Sequence, residues 1–264
     1  MTVEQRRSRI RELHEREELF VMPNPWDLGS ARLLQALGFE ALATTSAGFA
    51  WSLGKLDHTV TRDELVAHVA AVAGGVAVPL NVDSERLYPD EPGGVAETVR
   101  LLAEAGASGC SIEDYDPATR RLDDVGLAAE HVAAAVEAKG ALVLTARCES
   151  HLHGGTDLED TIARLVAYRE AGADAVYAPG LTDLGQIARV VKEVGAPVNV
   201  LALPTGPTIG ELEAAGVRRA SVGSLLAAAA YGALVGGASE LLEQGTSRYA
   251  EARVPRELLD TALG

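Results

Sequence analysis

Apolar residues along the chain fall into two alternating rhythms: an Ala- and Leu-rich stretch at helical spacing, then a short unbroken aliphatic run that ends in a polar residue. A glycine stands between the two. The phrase appears as LLQALGFEALATTS (33–46), LLAEAGASGCSIED (101–114), YREAGADAVYAPG (168–180) and ELEAAGVRRASVGS (211–224), with variants VAGGVAVPLNVDSE, EAKGALVLTARCE and EVGAPVNVLAL in the intervals. A helix closed by a left-handed glycine and followed by a strand buried on both faces accounts for it. With a first strand at Phe20-Val21-Met22, the pattern predicts strands near 19–22, 40–44, 77–82, 109–113, 142–147, 174–178, 197–203 and 218–222, with helices between them. About eight units at roughly 30-residue spacing predict an α/β protein, a (β/α)8 TIM barrel rather than an open sheet. No change of composition interrupts the series, so residues 1–264 read as a single barrel domain. VEQRRSRIRELHERE predicts an extra N-terminal helix, charged and amphipathic, lying across the barrel. The tail from Leu225, with LLAAAAYGALVGG and SELLEQG, is Ala/Gly-rich and suited to close packing between subunits.

Composition narrows the class of partner. Hydrophobic residues make up 47% of the chain and aromatic ones 4%, enough for a large aliphatic core. Lys and Arg number 23 against 38 Asp and Glu, a net charge of −15 that repels phosphate backbones and anionic lipid alike. Neither nucleic acid nor membrane is an expected partner. Two cysteines, Cys110 and Cys148, are too few for a disulfide framework, and no apolar run reaches the roughly 20 residues of a spanning helix. The start MTVEQRRSRIRELHERE has no apolar signal-peptide core, so a cytoplasmic location is expected.

In a barrel, chemistry lies where strands end and loops begin. Those positions hold Asn24 and Asp27, Thr45-Ser46, Asp83 and Glu85, Glu113-Asp114, Arg147 and Glu149, then Tyr177-Ala-Pro, Leu203-Pro-Thr205 and Ser221-Val-Gly-Ser224. Asp83-x-Glu85 carries a strand's period of two, which should aim both carboxylates to one side. With Glu113 they offer three oxygen donors of the kind Mg2+ prefers; the plainer alternative is that they cap helices or face water. Because the flanking PLNV and GCSI runs are apolar and an unpaired buried carboxylate is costly, the metal reading is favoured. Arg147 ends the strand ALVLTA and should enter the mouth among these acids. Its guanidinium suits a substrate carboxylate and developing negative charge, or a structural ion pair with Glu113 or Glu149. Thr45-Ser46-Ala47-Gly48 offers hydroxyls and backbone N–H groups for a carboxylate or phosphoryl group, or makes a plain turn.

The runs PNPWDLGSARLL, LATTSAGFAWSLGKLD, NVDSERLY, SIEDYD and TARCES, in this order over roughly residues 20–240, resemble the phosphoenolpyruvate mutase/isocitrate lyase superfamily. The resemblance implies a Mg2+-dependent (β/α)8 barrel, with Mn2+ an alternative ion, that makes or breaks a bond next to a 2-oxo acid through a pyruvate-like enolate. It implies Asp83, Glu85 and Glu113 as metal-site acids and Arg147 as the active-site arginine. It further implies Asp57 as the loop aspartate, Thr45-Ser46-Ala47 as the carboxylate-binding turn and a last helix exchanged between neighbouring barrels. Asn199 on the seventh strand is an expected substrate contact, and Arg147, Asp57 and Tyr88 are the catalytic candidates. A homo-oligomer, dimer or tetramer, is expected.

Departures from the family pattern limit the chemistry. The stretch YDPATRRLDDVG has no cysteine where isocitrate-type lyases carry a Lys-Cys-Gly-His loop, and Pro179 stands near the expected lyase glutamate, which argues against isocitrate or methylisocitrate cleavage. Arg120 and Arg121 are the only candidates for the basic loop residue of the mutases, so phosphorus-carbon chemistry stays open. Leu87-Tyr88-Pro89 replaces the usual G-Y-G. The leading expectation is a Mg2+-dependent lyase or decarboxylase of a small 2-oxo (di)carboxylic acid, since loss of CO2 needs no protein base and reprotonation at C3 could come from water or Tyr88. A phosphonomutase-type enzyme and a non-catalytic 2-oxo acid binding barrel are the alternatives. A Schiff-base aldolase is disfavoured, because the only lysines are Lys55, Lys139 and Lys192. His151-x-His153 reads as a loop feature, Gly223-Ser224 as a helix cap, and both cysteines as inert thiols.

Overall fold

The computed structural model describes all 264 residues. The glycines of the repeated phrase, Gly38, Gly106, Gly172 and Gly216, sit at φ of 95°, 96°, 103° and 86°, the left-handed geometry that ends a helix and that glycine enters without a Cβ clash. Each is followed by a short strand. The barrel strands are β1 (Phe20–Met22), β2 (Leu42–Ala43), β3 (Leu80–Val82), β4 (Gly109–Glu113), β7 (Val143–Arg147), β8 (Ala175–Tyr177), β9 (Val198–Leu201) and β10 (Arg219–Ser221). All eight coincide with predicted runs. They pair in parallel in the order β1-β10-β9-β8-β7-β4-β3-β2, and the Ala43 N–H donates to the Pro23 carbonyl at 3.1 Å to bridge the remaining gap. Between β4 and β7 a small antiparallel pair, β5 (Tyr115–Asp116) with β6 (Arg121–Leu122), was not foreseen in the sequence.

The outer ring is α2 (Leu28–Ala36), α4 (Arg62–Gly75), α5 (Gly94–Glu104), α6 (Val125–Ala138), α7 (Leu158–Glu170), α8 (Leu184–Val194) and α9 (Ile209–Ala214). Their apolar faces meet the outward faces of the strands in a core that includes Val99, Leu102, Leu144, Leu165, Val176 and Ile187. The extra helix α1 (Val3–Glu15) closes the bottom of the barrel: Ile10 and Leu13 are fully buried against Phe20, Met22, Ala41 and Val143. Arg6 fastens it by donating to the carbonyl of Val76 at 2.8 Å. Helix α3 (Ser46–Ser52) stands directly after β2, where the sequence suggested only a turn.

After β10 the chain forms α10 (Leu225–Gln244) and, beyond a short 3-10 turn, α11 (Arg256–Leu263), which packs against α2. Only Ala227 and Gly237 of α10 are buried. This helix corrects the expectation that no segment is long and apolar enough to span a membrane: it has 20 residues at a mean hydropathy of 1.5. Its apolar character is carried largely by small alanines, interrupted by glycines, rather than by a run of large aliphatic residues. By length and composition alone the helix passes that test.

Candidate active site

Parallel pairing delivers a row of polar side chains to the barrel interior. Glu113 is the register partner of Arg147, Arg147 of Tyr177, Tyr177 of Asn199, and Asn199 of Arg219. Arg147 is the centre of the row. Its Nη1 lies 2.6 Å from Asp83 Oδ1, its Nε 2.7 Å from Glu149 Oε1 and its Nη2 3.3 Å from Glu113 Oε2. Both of the ion-pair partners suggested by the sequence are therefore present, with Asp83 as a third. Burial opposes the charge on Arg147, but Glu149, Asp83 and Glu113 outweigh it and hold the guanidinium protonated well above its ordinary range. The guanidinium carbon also lies 5.4 Å from the centre of the Tyr177 ring.

The acids divide into two sets, which corrects the expectation drawn from their spacing. Strand β3 ends at Val82, and Glu85, Leu87 and Tyr88 have φ of 48°, 59° and 51°, so the alternation of a strand does not carry through Asp83-Ser84-Glu85. Asp83 turns to Arg147 with one oxygen and accepts the Ser46 N–H with the other at 2.9 Å. Ser84 is fully buried and donates to the Ser111 carbonyl at 2.6 Å. Glu85 instead meets His58, whose Nδ1 is 3.6 Å from Glu85 Oε2 and 3.9 Å from Glu113 Oε1. Burial raises both Glu85 and Glu113, Glu113 the further of the two. Glu85 foremost, with Glu113 and Asp57, pushes His58 up to about 9.

Asp57, His58 and Glu85 each bring one ligand atom within 4.8 Å of the others. Glu113 Oε1 and His58 Nδ1 are enclosed and have no hydrogen-bond partner. A divalent cation fits this donor set: it would satisfy both orphaned atoms and offset the excess of carboxylate charge. Glu85, Glu113, Asp57 and His58 are the residues that would hold it, with Asp83 beside Arg147 on the neighbouring side. His58 was missed in the sequence, although it adjoins Asp57; an adjacent pair has no spacing that marks a metal site.

Above this cluster the mouth opens into a cavity of about 240 Å³ lined by Thr45, Ser46, Ala47, Asp57, Asp83 and Arg147, and on the far side by Pro179 and Leu203. Thr45 caps α3, its hydroxyl accepting from Gly48 N–H at 3.3 Å, which leaves the Ser46 hydroxyl and the Ala47 N–H at the lip. A second, small cavity of about 60 Å³ continues inward past Asp83, Arg147 and Tyr177 to Asn199 and Arg219. Asn199 lies there, accepting from Arg219 Nε at 2.9 Å and donating to Ser221 Oγ at 3.0 Å. Tyr88 lines neither cavity; its hydroxyl donates to the Val60 carbonyl at 3.1 Å, and burial raises its pKa. Asn24 takes the N–H groups of Val222 and Gly223 at 2.9 Å each, so the glycine turn after β10 is already occupied. His153 stacks on Tyr115 with ring centres 3.5 Å apart, and His151 pairs with Thr161. Cys110 and Cys148 are fully buried, and burial pushes both thiols up to about 12.

A parallel barrel with an acid-ringed arginine at its C-terminal mouth is a (β/α)8 barrel whose polar residues gather at the face where such barrels carry their sites. The chain belongs to the phosphoenolpyruvate phosphomutase family, whose pattern matches residues 10–242, within the phosphoenolpyruvate mutase/isocitrate lyase superfamily. It is similar to an uncharacterized protein of Mycobacterium tuberculosis (strain ATCC 25618 / H37Rv), 37% identical over 81% of each chain. It is also similar to the oxaloacetate decarboxylase of Paraburkholderia xenovorans (strain LB400), 34% identical over 75% of this chain and 69% of that one. Among solved structures, a lyase/mutase candidate from Burkholderia cenocepacia J2315 superposes with a TM-score of 0.92 at 49% identity, covering 98% of this chain and 95% of the other. An oxaloacetate acetylhydrolase bound to its product oxalate superposes at 0.86 with 27% identity, covering 97% and 93%.

Proposed function

We propose that the protein is a divalent-metal-dependent lyase or decarboxylase acting on a small 2-oxo acid. The observation that carries this reading is the Arg147 guanidinium, held by three carboxylates at the floor of the mouth cavity and beside the unsatisfied Glu113-His58 cluster. A divalent ion bound there, Mg2+ or Mn2+, would act as a Lewis acid toward the substrate's 2-oxo oxygen. Arg147 then serves as the donor for charge that develops on the substrate as its bond beyond C3 breaks. Asp83 and Glu149 fix its fork, so little reorganisation accompanies the reaction. The Ser46 hydroxyl and the Ala47 N–H orient the carboxylate beside Arg147, the Ser46 N–H being held by Asp83.

A cleaved 2-oxo acid needs one proton at C3. Tyr88 is directed away from the cavity and is a weak acid where it stands, so water in the open mouth supplies that proton. The relatives named as oxaloacetate decarboxylases support the decarboxylase form of the reading. A panel of 2-oxo acids assayed for pyruvate release, with and without Mg2+ or Mn2+, tests it. Metal-dependent turnover of at least one member is expected; binding without turnover across the panel would identify a non-catalytic barrel.

A further inference from the structure

His58 does not behave as an ordinary hydrogen-bonding histidine. Its Nδ1 faces Glu85 Oε2 at 3.6 Å and Glu113 Oε1 at 3.9 Å, and its Nε2 lies 3.9 Å from Asp57 Oδ2. Hydrogen bonds of this kind close to about 2.7–3.2 Å, so all three gaps are too long. Atoms that share one divalent ion at roughly 2.1 Å are instead separated by about 3.0 Å when adjacent and about 4.2 Å when opposite. The two gaps at Nδ1 fall inside that window, whereas Asp57 Oδ2 faces the other ring nitrogen, which an ion held at Nδ1 does not reach. Glu113, with only 7% of its surface exposed, aims an enclosed and unpartnered oxygen into the same space, and His58 Nδ1 is enclosed and unpartnered as well. The imidazole is also held in place. His58 and Glu85 both take left-handed backbone conformations, φ 60° and 48°, and the His58 ring lies 6.0 Å from Tyr115, which is itself stacked on His153.

We propose that His58 is a metal ligand of this protein through Nδ1, completing with Glu85 and Glu113, and with Asp57 at the edge of the cluster, a mixed nitrogen and oxygen site that selects a transition-metal dication such as Mn2+ over Mg2+. The inference rests on the reading that these carboxylates hold a divalent ion. It adds the kind of ion. Mg2+ is served by oxygen donors and gives up its water reluctantly, whereas imidazole nitrogen favours the borderline ions of the first transition row.

Mn2+ added to the metal-stripped full-length protein, followed by electron paramagnetic resonance, tests the proposal without any activity assay. Loss of the free-ion signal reports binding, and pulsed measurements report whether a nitrogen nucleus is coupled to the bound ion. The expected result is bound Mn2+ with imidazole nitrogen coupling in the wild type. In His58→Gln, Mn2+ should still bind, the coupling should vanish, and the preference for Mn2+ over Mg2+ should fall at least tenfold. Selective 15N labelling of histidine in the unsubstituted protein identifies the coupled nucleus as imidazole even if the variant folds poorly. Bound Mn2+ with no imidazole coupling, and with affinity lost in Glu113→Gln, would overturn the role of His58 and leave the carboxylate site standing. No Mn2+ or Mg2+ binding at all would overturn both.

Discussion

Arg147 carries three carboxylate contacts and yet has a planar fork that only a guanidinium provides. Arg147→Lys keeps the charge and loses the fork. If the side chain stabilises charge that appears during reaction, kcat should drop on the order of 100- to 1000-fold, and kcat/KM at least as much. Steady-state kinetics on the most active panel substrate checks this; a lysine variant with near-normal kcat and a raised KM would make Arg147 an anchor. Tyr88 should give the opposite result. Tyr88→Phe removes one hydrogen bond to Val60 O, so a stability loss of about 1 kcal/mol with kcat nearly unchanged is expected. A large fall in kcat for this variant would restore Tyr88 as the proton donor.

At the level of elements, α1 is tied to the barrel through a buried polar contact: Arg219 Nη1 lies 3.0 Å from His14 Nε2 and 3.0 Å from Thr145 Oγ1. Burial first, and the Arg219 charge second, push His14 down to about 3 from an ordinary 6.5. The unfolded chain thus binds a proton that the folded chain refuses. The contribution is fully present above pH 6.5 and is lost as pH falls toward 3. Calorimetric Tm values between pH 7.5 and 4 should fall less steeply in His14→Gln than in the wild type, a residual slope remaining from buried His68, held down to about 4. Parallel curves for the two proteins would contradict this account of the bottom of the barrel. The same elements show what was legible in the chain. Most of the strands could be read because each is a short, largely apolar run set off by a helix-ending glycine, a local signal, although β1 has no such glycine and β10 is Arg-Ala-Ser. Arg147, Glu113 and the Thr45-Ser46-Ala47 turn could be placed because they follow directly from strand ends. The division of Asp83 from Glu85 could not, since it depends on where β3 stops and on three left-handed residues that carry no glycine to announce them. His58 and the inward-facing Arg219 were hidden for a related reason: Glu85 and Glu113 for the one, and His14, Thr145 and Asn199 for the other, lie well apart from them in sequence and come together only when the barrel closes.

For the whole molecule, α10 is the feature the barrel itself leaves unexplained. Leu234, Val235 and Leu242 are 65%, 64% and 88% exposed on a helix of 20 residues, an apolar surface that water covers poorly. A homo-oligomer in which α10 rests against a neighbouring barrel is the expected state, as the family resemblance also implies. Sedimentation at micromolar concentration should show a dimer or tetramer, and Leu234→Glu with Leu242→Glu should shift it toward monomer; a wild type that sediments cleanly as a monomer refutes this. The central claim, that a metal and Arg147 together stabilise a pyruvate-like enolate open to water, can be tested without knowing the natural substrate. Pyruvate incubated with the protein in D2O is followed by proton NMR of its C3 methyl group. The account predicts deuterium entering C3 with added Mg2+ or Mn2+, at the uncatalysed rate with EDTA, and far more slowly in Arg147→Lys. Exchange that never rises above the uncatalysed rate in the metal-saturated protein, or that continues unchanged in EDTA, would contradict it.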